Sequence, residues 1–416
     1  MKYILVIGDG MADNPVPKLG SKTPLEFAHI PNIDRLSKRG ILGSTINCPK
    51  GLPPGSDTAI LSILGQDPKE CYTGRSPLEA AASGIELNPG DVSYRCNMIT
   101  LEDGEMPYAQ RRILSHSGGS IDGESSMELV KYLFADSEFS ALARDAKMEI
   151  YPAASFRHIA VQSHADIRGI QLTPPHDHLG EIIGPLLPSG CRNAELLSHL
   201  MEVSHSVLDH HPINEYRRQH GMFPANGVWF WAEGHAVKLR NFVERYGHNG
   251  TVISAVPLCQ GIARLSGLSF TKVDGATGDL ETNYEGKVQA ALEDLQKPGN
   301  DFTAIHVEAP DECTHNGDLK GKIQAIEWLD SRVVGPLTAE LERNGIDYRI
   351  LILSDHKTLT ETRGHDGDPV PFLIYDSTKP SGSGLDYTEK NGLQGPLLQS
   401  GTELMGLLFG EVDIHA

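Results

Sequence analysis

The feature that most restricts the fold is a repeating order in which short β-branched runs are followed closely by acidic or histidine residues. YILVIG at 3–8 runs into Asp9, FTAIHV at 302–307 leads to Asp311, and YRILIL at 348–353 leads to Asp355 and His356. TVISAV at 251–256 is a further run of this kind, and stretches of helical periodicity separate them: IPNIDRLSKRG, NYEGKVQAALEDLQ and KIQAIEWLDSRVVGPLTAELERNG. Alternation of this type predicts an α/β chain with a doubly wound, mostly parallel sheet. Open sheets of that class present their chemistry at the carboxyl ends of the strands. Gly40 and Gly345 close two of the helical stretches and are expected as C-caps. Asp376 to Gly395, with its SGSG, reads as a long surface loop.

Three stretches near the C-terminus concentrate candidate metal ligands: Asp311-Glu-Cys-Thr-His315, Ser354-Asp355-His356 and Gly364-His365-Asp366. Carboxylate oxygens and neutral imidazoles suit hard and borderline divalent metals, and Asp311 with His315 at i, i+4 shares one face of a helical turn. Asp9 and Ser56, the latter in GLPPGSDTA, supply further candidates near the N-terminus. The set reads as two metal sites built from strand ends, with Ser56 beside them. A serine bonded to a divalent cation loses its proton more readily and becomes a competent nucleophile. The backbone N–H groups after Ser56, leading into TAILSILG, are expected to form an anion site at a helix start. A serine before an apolar helix is otherwise a plain N-cap.

These stretches, GDGMAD, PNIDRL, PPGSD, DECTH, SDH and GHDGDPVPF, resemble the archaeal-type cofactor-independent phosphoglycerate mutases of the alkaline phosphatase superfamily. The resemblance runs along nearly the whole chain and is strongest over residues 1–90 and 250–375. It implies interconversion of 3-phosphoglycerate and 2-phosphoglycerate, without 2,3-bisphosphoglycerate, through phosphorylated Ser56. It implies that Asp311, His315 and His365 hold one divalent ion, and that Asp9, Ser56, Asp355 and His356 hold the other. Manganese is the expected ion, with zinc, magnesium and cobalt compatible with such donors. Homoserine kinases of similar architecture share these motifs, and a metal-dependent phosphomonoesterase is a second alternative. No GxxxxGK[ST] phosphate loop for a nucleotide occurs in the sequence.

Residues 91–245 differ in character. VSYRCNMITL, MEIYPA, FRHIAVQ and NGVWFWAEG read as strands of a smaller α/β unit, with a histidine-rich helical stretch from Asn193 to His220. The expectation is a substrate-binding lid inserted into a catalytic domain formed by 1–90 and 246–416, its two connections acting as a hinge. Candidates for gripping phosphate and carboxylate are Arg111-Arg112, Arg157 with His158, and His176 with Asp177. The resemblance favours Arg157, His158, His176 and Asp177.

At 416 residues and 39% hydrophobic content the chain can bury two cores. A formal charge of −19 argues against a nucleic-acid surface, and no apolar run reaches the length of a membrane span. The expected partner is a small phosphorylated hydroxy acid; the number of chains in the working enzyme is left open. Six cysteines with no CxxC read as reduced thiols of a cytoplasmic protein, and the N-terminus enters a strand with no expected signal peptide.

Overall fold

The computed structural model describes residues 1–153, 155–380 and 382–411. In chain order its strands are β1 (Lys2–Gly8), β2 (Ile41–Thr45), β3 (Val92–Leu101), β4 (Ile113–Ser115), β5 (Met148–Tyr151), β6 (Arg157–Gln162) and β7 (Gly227–His235). They continue with β8 (Gly250–Ile253), β9 (Ser269–Thr271), β10 (Phe302–Val307), β11 (Tyr348–Leu353), β12 (Lys357–Thr358), β13 (His365–Asp366), β14 (Val370–Asp376) and β15 (Leu397–Leu398).

Two compact units divide the chain, one formed by Met1–Tyr72 with Lys238–Ala416 and the other by Thr73–Val237. These limits differ from the expected 90/91 and 245/246. The helix Ser76–Ala82 goes with the second unit because Ser76 Oγ donates 2.8 Å to the carbonyl of Ser93 on β3. Residues 238–245 go with the first, where the Arg240 backbone exchanges hydrogen bonds with the Gln66 side chain and Phe242 stacks on Phe302.

The first unit carries an eight-stranded sheet in the order β15-β2-β14-β11-β1-β10-β8-β9. β1 is parallel to both β10 and β11, and β10 to β8, while β14 runs antiparallel to β11 and β2. Helices cover both faces, which is why β1 is a continuous apolar run. Ile4 and Val6 pack into a layer with Ile33, Leu36, Tyr284, Val288 and Leu337, while Leu5 and Ile7 are buried on the other side. Because β1, β10 and β11 are parallel and in register to Gly8↔Val307 and Ile7↔Leu353, their carboxyl ends finish along one edge.

The last helical stretch is interrupted. Leu319–Trp328 and Gly335–Arg343 are α-helical, with a π-helical turn over Leu329–Val334 between them. Pro336 has no N–H for the carbonyl four residues back, so the ladder shifts ahead of it. The π turn holds buried Asp330 where it accepts the N–H of Ile33 at 2.7 Å, capping the helix Pro31–Lys38, which has no side-chain cap of its own. Gly345 is left-handed, as a C-cap requires. Gly40 is not; a Cβ there would meet the Ile374 carbonyl at 2.4 Å, so close approach of backbone explains this glycine. Within the expected loop from Asp376 to Gly395, Ser381 lies outside the described residues, Glu389–Gly392 is a helical turn, and Tyr387 is fully buried.

The second unit is a five-stranded antiparallel sheet in which β3 pairs with β4, β6 and β7, and β6 with β5. The helices Gly123–Ala135, Ser137–Asp145 and Arg192–Leu208 contribute Leu129, Phe139 and Leu197 to its core. No helix among the described residues is long and apolar enough to cross a membrane.

Candidate functional site

The edge where β1, β10 and β11 end gathers the predicted ligands of the first unit. Asp9 follows β1, Asp355 and His356 follow β11, and Asp311 lies in the helix Ala309–His315 that begins just after β10. All four are buried. Asp355 Oδ1 accepts the N–H of Gly10 at 3.0 Å and of His356 at 2.8 Å, so two strand ends are tied through one carboxylate. Gly10 is left-handed, and a Cβ there would strike Asp311, so the turn after β1 admits no larger residue without displacing that side chain.

Ser56 opens the helix Ser56–Ile63, but Gly55 is its N-cap. The serine is therefore not the capping residue. Its hydroxyl lies 3.2 Å from Asp9 Oδ2 and 3.1 Å from His356 Nε2. The anion site expected at the following amides is narrower than the sequence suggests, because Asp57 Oδ1 takes the N–H of Thr58 at 2.9 Å. Gly55 brings this turn toward the remaining ligands, its Cβ position lying 3.6 Å from His365 Nδ1.

The hairpin β12–β13 supplies His365. Its Nε2 is 2.9 Å from His315 Nε2 and 3.4 Å from Asp311 Oδ1, and His315 Nε2 is 3.1 Å from Asp311 Oδ2. Two groups of ligand atoms result: Asp311 with His315 and His365, and Asp9 with Asp311 and His356, each within 4.8 Å. Asp311 thus belongs to both groups. The Thr358 hydroxyl on β12 fixes it from behind at 2.5 Å from Oδ1.

The charges bear on what this arrangement can hold. Burial pushes the Asp9 carboxyl well above its usual range, and nearby Asp355, Asp311 and Glu308 push it the same way. Burial also works against ionised Asp311, but hydrogen bonds from His315 and His365 win and hold that carboxyl below its usual range. Burial lowers His356, keeping its imidazole neutral as metal ligation requires. Asp355 Oδ2 is buried with no hydrogen-bond partner among the described residues, His356 Nε2 lying 3.3 Å away. His315 Nδ1 lies 2.7 Å from the Arg363 carbonyl and donates to it, which fixes the ring with Nε2 facing Asp311 and His365, and the hydrogen bond to Asp311 raises this imidazole to about 9. Crowded carboxylates, an orphaned oxygen and converging imidazole nitrogens fit divalent cations. Cys313, in the same helix, is buried beside Gly321, and burial pushes its thiol up to about 11. It packs rather than ligates.

A cluster of opposite charge occupies the second unit. Arg157 on β6 pairs across the sheet with Asn97, two residues from Arg95 on β3. Arg95 Nε donates 2.8 Å to Glu79 Oε2 and its guanidinium stacks on Trp231 at 4.7 Å, while Arg75 shares the Glu79 carboxylate. Arg157 Nε is buried and donates to nothing among the described residues. Burial and the Arg95 charge both lower the pKa of Arg157. His176 packs at a tilt against Trp231 with ring centroids 5.2 Å apart and neighbours His116 at 6.1 Å, with exposed Asp177 beside it.

Neighbouring candidates face elsewhere. His158 points to the opposite side of β6, as strand alternation demands, and is fully buried. Its Nδ1 accepts the Ala153 N–H at 3.0 Å and its Nε2 meets Ser126 Oγ at 2.9 Å, so both ring nitrogens are engaged within the core. Arg111 donates to the carbonyls of Glu102 and Gly104, and Arg112 to that of Gly180, bracing loops.

Comparison with known proteins is decisive about ancestry. The chain is 43% identical over 412 residues to the 2,3-bisphosphoglycerate-independent phosphoglycerate mutase of Methanosarcina acetivorans, covering 98% of this chain and 99% of the relative. It belongs to that mutase family. Residues 37–214 match the family model described as 2,3-bisphosphoglycerate-independent phosphoglycerate mutase. A probable mutase of the same description from Geobacter sulfurreducens is 41% identical over 98% of this chain and 100% of its own length. Among solved structures, the cofactor-independent phosphoglycerate mutase of Thermoplasma acidophilum aligns at a TM-score of 0.65 and 25% identity over 99% of this chain and 100% of its own. A Pyrococcus horikoshii protein aligns at 0.78 and 28% over 99% of each chain. The mixed, mostly parallel sheet is thus the fold of this mutase family.

Sequence reasoning overlooked several residues of this family member. His306, inside β10, is 2% exposed and contacts Asp9. Its signal was a lone histidine in a β-branched run, easily read as part of the strand. Arg75, Glu79 and Arg95 were missed because they are scattered; pairing of β3 with β6 is what brings Arg95 near Arg157.

Proposed function

We propose that this chain is a 2,3-bisphosphoglycerate-independent phosphoglycerate mutase that interconverts 3-phosphoglycerate and 2-phosphoglycerate through Ser56. The observation that carries the reading is the Ser56 hydroxyl held between Asp9 and His356 in an edge crowded with carboxylates. Asp311, His315 and His365 are assigned to one divalent ion, and Asp9, Ser56, Asp355 and His356 to another, with manganese the expected metal. Bound there, divalent cations favour the ionised serine and neutralise phosphoryl oxygens. Ser56 Oγ bonds to phosphorus as the bond from phosphorus to one glycerate oxygen breaks. The phosphoryl group then returns to the other glycerate oxygen, restoring the serine. Arg157, His176 and Asp177 are assigned to substrate binding, since a guanidinium orients carboxylate or phosphate in a way that a diffuse field does not. The proposed setting is the cytoplasm, and the partner a phosphorylated hydroxy acid.

An enolase-coupled assay with 3-phosphoglycerate and manganese, run without ATP while inorganic phosphate is monitored, tests this reading. Formation of 2-phosphoglycerate without phosphate release is the expected result. Phosphorylated homoserine and ADP in a parallel reaction with homoserine and ATP, and no mutase turnover, would refute it.

A further inference from the structure

His306 does more than fill β10. Its ring is 2% exposed, with Nε2 2.9 Å from Asp9 Oδ2 and Nδ1 3.0 Å from Ser254 Oγ. Ser254 follows β8 at the same sheet edge, and its oxygen accepts the N–H of Val256 at 3.0 Å. With the ring proton on Nε2, His306 accepts from the Ser254 hydroxyl and donates to Asp9. Three adjacent strand ends are joined by this run of contacts, from Val256 N–H through Ser254 and His306 to Oδ2 of Asp9.

Asp9 needs this support. It is buried, and its other oxygen, Oδ1, lies 3.4 Å from His356 Nε2. A donor fixed on Oδ2 restrains the rotation of the carboxylate, leaving Oδ1 toward His356 with the Ser56 hydroxyl 3.2 Å from Oδ2 and 3.4 Å from Oδ1.

We infer that His306, oriented by Ser254, is the positioning residue that holds Asp9 in its cation-binding geometry. The inference rests on the divalent-metal reading above. Its test measures metal rather than turnover: manganese binding to the full chain, followed by the electron paramagnetic resonance of free and bound ion, for the parent, His306→Leu, His306→Gln and Ser254→Ala. His306→Leu is expected to weaken binding of one manganese about 10- to 100-fold, the usual range for loss of such a supporting partner. Ions held by Asp311, His315 and His365 should be little changed. His306→Gln, which restores an N–H donor, should recover much of the loss. Ser254→Ala leaves the ring in place, covers the case in which His306→Leu fails to fold, and should weaken the same ion more mildly. Parent-like binding in both His306→Leu and Ser254→Ala overturns the inference alone. A parent that binds no manganese overturns the metal reading beneath it as well.

Discussion

The acidic edge of the first unit and the basic sheet face of the second are charged clusters of opposite sign. At the edge, Asp9, Asp311 and Asp355 come together from strand ends that are far apart in sequence. On the sheet face, Arg75, Arg95 and Arg157 surround Glu79. Both keep a buried polar atom without a hydrogen-bond partner among the described residues, Asp355 Oδ2 in one case and Arg157 Nε in the other. A protein folding only for stability would pair or remove such groups. Both suit the proposed assignments, a cation at the edge and an anion at the sheet face.

The largest expected effect breaks the symmetry between the two. Ser56→Ala should lower mutase turnover on the order of 10⁴-fold or more, since a covalent route has no substitute nucleophile. Circular dichroism and manganese uptake by the Asp311, His315 and His365 group should survive, which separates chemistry from assembly.

A second test lies behind the basic cluster, on the other face of β6. Burial lowers His158 to about 4. An unfolded histidine titrates near 6.5, so as pH falls the unfolded chain binds the proton first, and stability is lost between about 6.5 and about 4. The loss amounts to roughly 3 kcal/mol. Urea unfolding across this window should show it, and His158→Gln should flatten the dependence; an unchanged pH profile in that variant would remove His158 as the cause.

Arg157→Met sharpens the comparison from the basic side. It should raise KM for phosphoglycerate about 10- to 100-fold, as expected for a lost charged hydrogen bond, while raising the melting temperature of the ligand-free protein by relieving repulsion from Arg95. Asp355→Asn is its acidic counterpart and the smallest effect. With chelator present it should stabilise the chain by about 1 kcal/mol, because like charge near Asp9 is removed. With manganese present the order should reverse. Parent-like melting of both variants would mean that neither cluster is held under charge strain.

What the sequence reveals follows from local rules. Strand-end residues such as Asp9, Asp355 and His356 are legible because an apolar run that stops on a charge marks a sheet edge. His306 is hidden because the same run gives no sign of which side chain inside it meets the neighbouring strand. Arg157 and His158 look like one feature in sequence and are two in space, since adjacent strand residues face opposite ways. Asp311 could be assigned to one ligand group from its i, i+4 spacing with His315, but only the approach of β1 to β10 brings it to Asp9 and His356 as well. The limit of the second unit at Thr73 depends on how the helix Ser76–Ala82 packs, which its short apolar pattern does not specify.

The central position of β1 has a consequence for the timing of synthesis. It is made well before its neighbours in the sheet, β10 and β11; Asp9 meets His306 across 297 positions of sequence, and Gly10 meets Asp355 across 345. At translation rates of about 5–20 residues per second, the first strand waits on the order of tens of seconds for its partners, while Thr73–Val237 emerges complete in the interval. The nascent chain must therefore keep an apolar strand from pairing wrongly until β10 and β11 leave the ribosome, and the acidic edge is assembled only then.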